Sequence, residues 1–574
     1  MGVLLHALYR RIDSNGQKIV VSAPPDTPSW WDYLASQAAD FRRAGFTAVL
    51  LPPVCKTQSG SAGDADGYGL FDNYDIGSKK PQGIFGDGKT RFGSPESLRR
   101  MIAIMHACGL DVYADVVMHQ YDGGNKGTYR YLGADGKTDN GRFPKHPSCF
   151  VGAPPRVPVD PVANPQGNFA FGDMVSYINS TPKGYMLTGA TDAADWLTRT
   201  LDIEGYRIDD VKGMAVDAVR HVLDSKSMAG RFAVGEYFDG NPQALHWWVW
   251  NSGMGGRSKV FDFTLHWAIQ AMCNNASHWS MASLQSAGYI AVDPLNAVTF
   301  VDNPDTDLST GENVVFNKLL GYALILTAEG YPSVYYKDYS TDRFCYGLKP
   351  FIDNLIWIHE NLAFGTTLTR WGNDPQVFIF ERQGYPGLLV GLNNDANDSY
   401  TRSVQTTFGP NVQLHDYTGK HGDIWTDGQG RATFTLPRNK NGQSYLCFSR
   451  TGYAQAFSLN QRTTTQTFFG SADLDISPAE NGSTVQAGRI WCEKNTPIAA
   501  DLRPSLGNQV SVAGMSVEIV DAHGRVVATE SPNKQFNVTA SQSGWFILNV
   551  TGRNLPAGTG SYELTVTYTG TQHL

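Results

Sequence analysis

The strongest constraint on the fold is a regular alternation of short apolar runs with amphipathic stretches over residues 1–365. Strands that alternate with helices indicate a parallel sheet, because two parallel strands need a long crossover between them. About eight such strand–helix units are present, which predicts an α/β fold, a (β/α)8 TIM barrel with insertions. A doubly wound open sheet is the alternative that the pattern leaves open. The predicted strands are residues 3–10, 46–54, 110–119, 204–213, 232–238, 259–265, 297–303 and 332–340.

The length and the local composition predict four parts. At 574 residues the chain exceeds what one hydrophobic core supports. The segment after the third predicted strand is rich in Gly, Pro and Asp and is too long for a simple loop, which indicates an inserted domain. After residue 370, short strands follow one another without helices. We therefore expect a barrel (1–119 and 184–368), an inserted B domain (120–183), an all-β C domain (369–452) and a C-terminal β-sandwich module (455–574).

The composition excludes several classes of function. The net charge is −8 and there is no Lys/Arg-rich run, so neither nucleic acid nor a membrane is expected as a partner. No run of ~18 apolar residues predicts a membrane span. The seven cysteines are scattered and form no CxxC pair, which argues against a zinc or thioredoxin-like site. Residues 1–17 lack a basic region and a cleavage site, so they predict a strand rather than a signal peptide.

Charged residues follow several of the predicted strands. In a (β/α)8 barrel the functional side chains lie at the carboxyl ends of the strands. Arg207 and Asp209 are two residues apart on one strand and point the same way, so the guanidinium should lower the pKa of Asp209. An ionised carboxylate and an apolar-flanked partner, Glu236, are what two-step glycoside hydrolysis needs. The alternative is that Arg207 and Asp209 form a salt bridge of the barrel without a catalytic role.

Four ordered segments strengthen the catalytic interpretation. They are DVVMHQ (115–120), GYRIDDVKG (205–213), VGEYF (234–238) and FVDNPDT (300–306), and DGYGLFDNYDIG (66–77) accompanies them. With these segments the chain resembles the α-amylase family, glycoside hydrolase family 13, over roughly residues 1–450. The resemblance implies a (β/α)8 barrel, the inserted B domain, the β domain that follows, and action on α-glucans.

The resemblance also implies roles for individual residues. Asp209 matches the nucleophile, Glu236 the general acid/base, and Asp305, rather than Asp302, the third carboxylate, which grips sugar hydroxyls. Arg207 matches the arginine that keeps the nucleophile ionised, and Asp115 the aspartate that orients this arginine. The substrate-binding residues implied in the same way are Arg207, Asp115, Tyr68, Gln120, Lys212 and Tyr237, with Tyr68 stacking on the sugar and Lys212 on the acceptor side.

Two departures from the family pattern concern sugar binding. Where the first motif usually ends Asn-His and the fourth reads Asn-His-Asp, this chain has Gln120 and Pro304. Gln120 still carries donors and an acceptor, whereas Pro304 has neither a side-chain donor nor an N–H. Loss of one hydrogen bond to a charged transition state costs roughly 1.5–3 kcal/mol. We therefore expect a weakened or altered subsite, and we expect Pro304→His to raise activity on starch fragments.

The family's calcium site has a partial counterpart in this sequence. The ligands implied by the resemblance are His119, Asp173 and the backbone carbonyl of Gly213, with His119 in place of the usual asparagine. Calcium prefers oxygen ligands, so His119 is a poor substitute. No organic cofactor is expected.

The predicted function is retaining hydrolysis of α-1,4-glucosidic bonds in starch-like α-glucans or maltooligosaccharides. Two alternatives stay open: an α-glucan transglycosylase of the 4-α-glucanotransferase type, and a weakened barrel that only binds glycans, motivated by Gln120 and Pro304. WWVW (247–250) is either a sugar platform or, as we expect, a helix packed in the core. We expect a monomer. The C-terminal module loosely resembles appendages of exported bacterial enzymes, which favours a secreted or periplasmic protein over a cytoplasmic one.

Overall fold

A computed structural model provides the structure of the protein. The structure describes residues 2–12, 18–21, 23, 27–57, 66–77, 88–121, 131–132, 138–139, 142–162, 167, 169, 172–275, 278–309, 311–342, 344–453, 461–471, 483–504, 514–521, 525–530, 536–541, 544–553 and 561–571.

Eight parallel strands close into a barrel, which confirms the predicted fold and excludes the open sheet. Each strand pairs with its neighbours in chain order, and the first pairs with the last in parallel register. The strands are β1 (Leu4–His6), β2 (Ala48–Leu51), β3 (Asp111–Val116), β4 (Gly205–Ile208), β5 (Phe232–Gly235), β6 (Lys259–Phe261), β7 (Ala297–Phe300) and β8 (Tyr331–Tyr335).

The helices begin and end where the sequence provides capping residues. The side chain of Ser29 accepts a hydrogen bond from the N–H of Asp32 at the start of the first helix, and Gly45 ends this helix with φ +103°. Ser94 and Ser97 form a reciprocal capping box at the start of the second. The helices are α1 (Trp30–Ala44), α2 (Pro95–Ala107), α3 (Tyr185–Leu201), α4 (Val216–Asp224), α5 (Pro242–His246), α6 (Phe263–Asn274), α7 (Lys318–Thr327), α8 (Tyr336–Tyr339) and α9 (Lys349–Asn361).

Several strands are shorter than the sequence predicts, because polar residues begin the next element early. Asp210 adopts a left-handed conformation with φ +42° just after β4, and a 3-10 turn, Val211–Gly213, follows. Asp262 accepts a hydrogen bond from the N–H of Leu265 and so starts α6 directly after β6. These early strand ends leave charged side chains at the edge of the barrel.

Apolar side chains fill the barrel. The cluster draws members from most of the strands and includes Leu4, Leu50, Val234, Phe261 and Phe300. A two-stranded hairpin, Arg10–Ile12 and Lys18–Val20, follows β1. None of the described helices is long and apolar enough to cross a membrane.

Short antiparallel strands lie in the segment between β3 and α3, as expected for the inserted domain. Gln120–Tyr121 pairs with Asp173–Met174, and Tyr131–Leu132 pairs with Thr138–Asp139. The first of these pairs begins only four residues after β3 ends, so it lies next to the carboxyl end of the barrel.

Antiparallel strands follow α9 and surround a core that includes Val377, Leu389, Phe434 and Phe448. They form a six-stranded and a two-stranded sheet. Their bounds are Thr367–Trp371, Val377–Arg382, Leu388–Asn393, Tyr400–Gln405, Gln413–Asp416, Ile424–Trp425, Arg431–Leu436 and Tyr445–Arg450.

The last part of the chain forms two four-stranded antiparallel sheets around a core that includes Leu502, Ile519, Leu548 and Leu564. Their strands are Gln461–Ser471, Ser483–Cys492, Pro497–Pro504, Met515–Asp521, Val526–Glu530, Phe536–Thr539, Gly544–Gly552 and Ser561–Thr571. By contacts the chain divides into two compact units, one of residues 1–336 and 355–452 and the other of residues 337–354 and 453–574. The domain limits proposed from the sequence stay predictions.

Candidate active site

The register of three adjacent strands brings the predicted acidic residues to one edge. Arg207 and Asp115 are direct backbone partners across β4 and β3. The N–H of Asp209 donates to the carbonyl of Val116, and the N–H of Glu236 donates to that of Ile208. These bonds continue the ladder one residue beyond each strand. Asp209 and Glu236 are therefore fixed by backbone hydrogen bonds, although they stand outside the strands.

One guanidinium contacts three carboxylates at this edge. Arg207 Nη1 lies 2.7 Å from both oxygens of Asp115 and 2.7 Å from Oδ1 of Asp209. Its Nη2 lies 2.6 Å from Oε2 of Glu236. The side chain of Arg207 is only 3% exposed. We call these four residues the Arg207 cluster. Burying several charges lowers the stability of the fold unless they compensate one another. Here three acids share one base.

Burial dominates the electrostatics of the Arg207 cluster. It raises the pKa of Asp209 to about 6 and that of Asp115 to about 6, although Arg207 opposes both shifts. It raises the pKa of Glu236 to about 7. The prediction that Arg207 lowers the pKa of Asp209 was therefore wrong in its net direction, because loss of water outweighs the ion pair. Glu236 retains its proton to a higher pH than Asp209 does.

The segment FVDNPDTD contains two aspartates in different surroundings, Asp302 and Asp305. Asp302 is buried, forms an ion pair with Lys318 and accepts a hydrogen bond from Thr306. The side-chain oxygen of Asn303 accepts from the N–H of Asp305 at 2.9 Å and from that of Thr306 at 2.8 Å. This turn presents Asp305, whose side chain is 43% exposed. The geometry agrees with the choice of Asp305 over Asp302 as the candidate.

Tyr68 and Gln120 contact the Arg207 cluster directly. The Tyr68 hydroxyl donates to Asp115 Oδ2 at 2.9 Å. Gln120 Nε2 donates to the carbonyl of Tyr68 at 3.1 Å and to Asp209 Oδ2 at 3.3 Å, so its oxygen faces His119 Nδ1 at 2.9 Å. Because both amide hydrogens are used and the side chain is fully buried, Gln120 orients Asp209 in this structure. Its role in binding substrate stays a prediction.

Lys212 and Tyr237 line a cavity of about 320 Å³ beside the cluster. Lys212 Nζ donates to the carbonyl of Phe238 and lies 2.9 Å from Asp239. Trp247, 41% exposed, and Trp248, which is buried, line the same cavity. Core packing is confirmed for Trp248, and a sugar platform at Trp247 stays a prediction. A π-helical turn, Trp247–Asn251, places its tryptophans on both sides, and such turns are frequent at functional sites.

The residues predicted to bind calcium do not fit that ion. Arg156 Nη2 lies 2.8 Å from Asp173 Oδ2, so a guanidinium already compensates the carboxylate. His119 contributes nitrogen, and calcium prefers oxygen. Within the described ranges no group of three or more His, Cys, Asp or Glu side chains is arranged to hold a metal.

Arg10 and Asp66 belong to the site but escaped the sequence analysis. Arg10 Nη1 lies 2.5 Å from Asp305 Oδ1 and donates to the carbonyl of Pro304 at 3.2 Å. Its Nη2 lies 2.9 Å from Asp66 Oδ2. Burial alone would raise the pKa of Asp305, but Arg10 and then Arg207 outweigh it and keep that pKa below its ordinary value. The sequence signals were a charged pair, Arg10–Arg11, directly after an apolar strand, and Asp66 as the first residue of the segment DGYGLFDNYDIG, but neither residue was given a role.

A (β/α)8 barrel with this group of acids at its carboxyl edge defines a glycoside hydrolase type of site. Comparisons with known proteins agree. A family model described as "Alpha-amylase C-terminal" matches residues 388–449. An alpha-amylase from Geobacillus stearothermophilus is 28% identical over 481 residues, which cover 73% of this chain and 82% of that protein. The chain is thus similar to an α-amylase over nearly three quarters of its length.

Solved structures show the same fold at low sequence identity. A gamma-CGTase from alkalophilic Bacillus clarkii superposes with a TM-score of 0.58 at 16% identity, covering 100% of this chain and 96% of that one. An alpha-amylase from Geobacillus thermoleovorans, solved in complex with acarbose, gives a TM-score of 0.54 at 16% identity and covers 79% of this chain and 99% of its own. At this identity the likeness concerns the fold.

Proposed function

We propose that the protein hydrolyses α-1,4-glucosidic bonds of starch-like glucans or maltooligosaccharides with retention of configuration. Asp209 acts as nucleophile, Glu236 as general acid and then base, and Asp305 binds sugar hydroxyls near the reacting carbon. The observation that carries the proposal is the shared guanidinium of Arg207, which contacts both Asp209 and Glu236 at 2.6–2.7 Å. The names of the related amylases support α-glucans as the substrate class.

Retention requires the nucleophile and the acid/base to lie close together. Retaining enzymes place their carboxyl groups about 5–5.5 Å apart, whereas inverting enzymes leave room for a water molecule between sugar and base. Asp209 and Glu236 each form a direct contact with one planar guanidinium. Both groups therefore lie within one guanidinium's reach, which suits direct attack by a carboxylate.

The two acids differ in the way that double displacement requires. With a pKa of about 7, Glu236 carries its proton when Asp209, with a pKa of about 6, has already lost its own. In the first step the Asp209 carboxylate attacks the anomeric carbon while Glu236 protonates the departing glycosidic oxygen. In the second step the Glu236 carboxylate takes a proton from water, whose oxygen attacks the same carbon and releases Asp209.

Reducing-sugar release from maltooligosaccharides of defined length tests the proposal. We expect clear turnover by the unmodified chain and a loss on the order of 10⁴-fold for Asp209→Asn, which keeps the shape but removes the nucleophile. Thermal unfolding of both proteins controls for folding. If the unmodified chain is as inactive as the variant, the hydrolase proposal fails and the glycan-binding alternative gains support.

Transglycosylation remains a second candidate, because the cavity lined by Lys212, Tyr237 and Trp247 offers an aromatic surface beside the acid/base. In that reaction a sugar hydroxyl replaces water in the second step. Chromatography of the products formed in excess maltose separates the two activities. Longer oligosaccharides would indicate transfer, and shorter ones alone would indicate hydrolysis.

A further inference from the structure

Arg10, the second arginine of the site, contacts Pro304, the position at which the family usually has a histidine donor. Pro304 occupies the position of the fourth motif's usual histidine and has no donor of its own. Gln120 stands at the position of the first motif's usual histidine. It has no amide hydrogen left for the sugar, because it donates both to Tyr68 and Asp209. The sugar-binding side of Asp305 therefore lacks both of the expected imidazole donors.

Arg10 reaches this position from outside the motifs. It lies in the hairpin after β1, at Arg10–Ile12, and contacts Asp305, the carbonyl of Pro304 and Asp66. Its guanidinium carbon is 5.7 Å from the centre of the Tyr68 ring, the predicted stacking surface for the sugar. Arg10 thus stands between the candidate sugar platform and the candidate third carboxylate.

Among the described residues, hydrogen-bond partners are found for only part of the Arg10 donor set. Arginine carries five N–H donors, and its hydrogen bonds to described residues use three of them. The side chain is 15% exposed, compared with 3% for Arg207. Arg10 is therefore held at two carboxylates and keeps some contact with solvent beside Asp305.

We propose that Arg10 replaces the missing histidine: it positions Asp305 and supplies the N–H donor that Pro304 cannot supply to the sugar at the cleavage point. The proposal rests on the proposed function. It alters one expectation from the sequence, because Pro304→His should give little gain while Arg10 is present.

Kinetics of four variants on maltooligosaccharides test the assignment. Arg10→Ala should lower kcat/KM about 100-fold, mainly through kcat, because Asp305 acts most strongly in the transition state. Arg10→Lys retains the charge but not the planar guanidinium, and its kcat/KM should be roughly 10-fold lower than that of the unmodified chain. Pro304→His alone should stay within about 3-fold of the unmodified chain, yet it should recover about 10-fold when added to Arg10→Ala, since coupled sites are not additive.

The pKa of Asp305 distinguishes positioning from a merely structural role. The charged and titratable groups that act on Asp305 are Arg10, Arg207, His6, Asp66, Tyr68 and Glu236. His6 is neutral in the working range, because burial lowers its pKa to about 3. Removal of Arg10 should raise the pKa of Asp305, and an NMR titration of this carboxyl in the unmodified chain and in Arg10→Ala reads that change directly, because Asp209 already sets the acid limb of activity near pH 6.

A surface arginine provides the matched control. Arg43 is half exposed and pairs with Asp40 on α1, so Arg43→Ala should leave activity unchanged. If Arg10→Ala does not fold, Arg10→Gln is measured in its place. Activity of either folded variant within about 3-fold of the unmodified chain, or an equal effect of Pro304→His in both backgrounds, overturns the assignment. An inactive unmodified chain would instead overturn the proposed function itself.

Discussion

Two arginines organise the acids of this site, and they do so in different surroundings. Arg207 lies inside the barrel edge, 3% exposed, and contacts Asp115, Asp209 and Glu236. Arg10 lies in a hairpin, 15% exposed, and contacts Asp66 and Asp305. Around Arg207 burial outweighs the ion pairs and the carboxylate pKa values rise. Beside Arg10, burial still raises the pKa of Asp66, whereas at Asp305 Arg10 and Arg207 together outweigh burial and the pKa falls.

The opposite pKa shifts show how one face of a barrel can hold carboxylates in two protonation states. Acids in the Arg207 cluster take up protons near neutral pH, which suits groups that exchange protons and attack carbon. Asp305 stays charged throughout that range, which suits a group that only binds hydroxyls and stabilises positive charge. The number of arginines acting on each carboxylate accounts for the difference: Arg10 and Arg207 together outweigh burial at Asp305, whereas Arg207 does not outweigh it at Asp115, Asp209 or Glu236.

Removal of Arg207 should give the largest effect. Arg207→Ala leaves three carboxylates buried without their shared base, so we expect activity to fall on the order of 10³-fold. The free energy of unfolding should fall by about 3–5 kcal/mol, as when one partner of a buried pair is removed. Calorimetry and reducing-sugar release measure both. Equal damage from Arg10→Ala would remove the distinction between the two arginines.

The pH dependence of kcat/KM sharpens the comparison further. Activity needs Asp209 ionised and Glu236 protonated, so we expect a narrow bell with limbs near pH 6 and pH 7. Each unit of pH outside these limits should cost about 10-fold. Initial rates at low substrate concentration between pH 4 and pH 9, about the span over which these acids titrate, provide the test. An acid limb near the ordinary carboxylate pKa would show that burial does not control the Arg207 cluster.

The smallest effect should come from a residue that touches neither arginine. Trp247→Ala removes an exposed aromatic surface from the cavity beside Lys212. We expect KM for long oligosaccharides to rise about 10-fold with kcat nearly unchanged, because stacking contributes similarly to ground and transition states. Trp425→Ala, at a more exposed tryptophan of the C domain, is the matched control. A large fall in kcat would place Trp247 in the chemistry itself.

Much of the site was predictable because strand register is local. Arg207 lies in β4, and Asp209 and Glu236 directly follow β4 and β5, so their meeting at one edge follows from a parallel barrel. Arg10 and Asp66 were not predictable. They are 56 residues apart in sequence and meet through a hairpin and a loop, whose paths no periodic pattern specifies.

The pKa of Asp209 shows a second limit of sequence reasoning. The alternation of side chains along β4 correctly placed Arg207 beside Asp209 at 2.7 Å. It contained no information on how completely the neighbouring strands exclude water, and that exclusion sets the sign of the shift. Contacts along one strand are readable from spacing, whereas desolvation depends on the whole assembled edge.

Trapping of the glycosyl-enzyme tests the central claim most directly. A fluorinated α-glucosyl fluoride slows the second step more than the first, and Glu236→Gln slows it further by removing the base. The anomeric fluoride leaves, so mass spectrometry of the digested protein should show one added fluoroglucosyl residue on the peptide that contains Asp209. An adduct on another carboxylate, or inversion of the anomeric configuration in the products of the unmodified chain, would contradict the account.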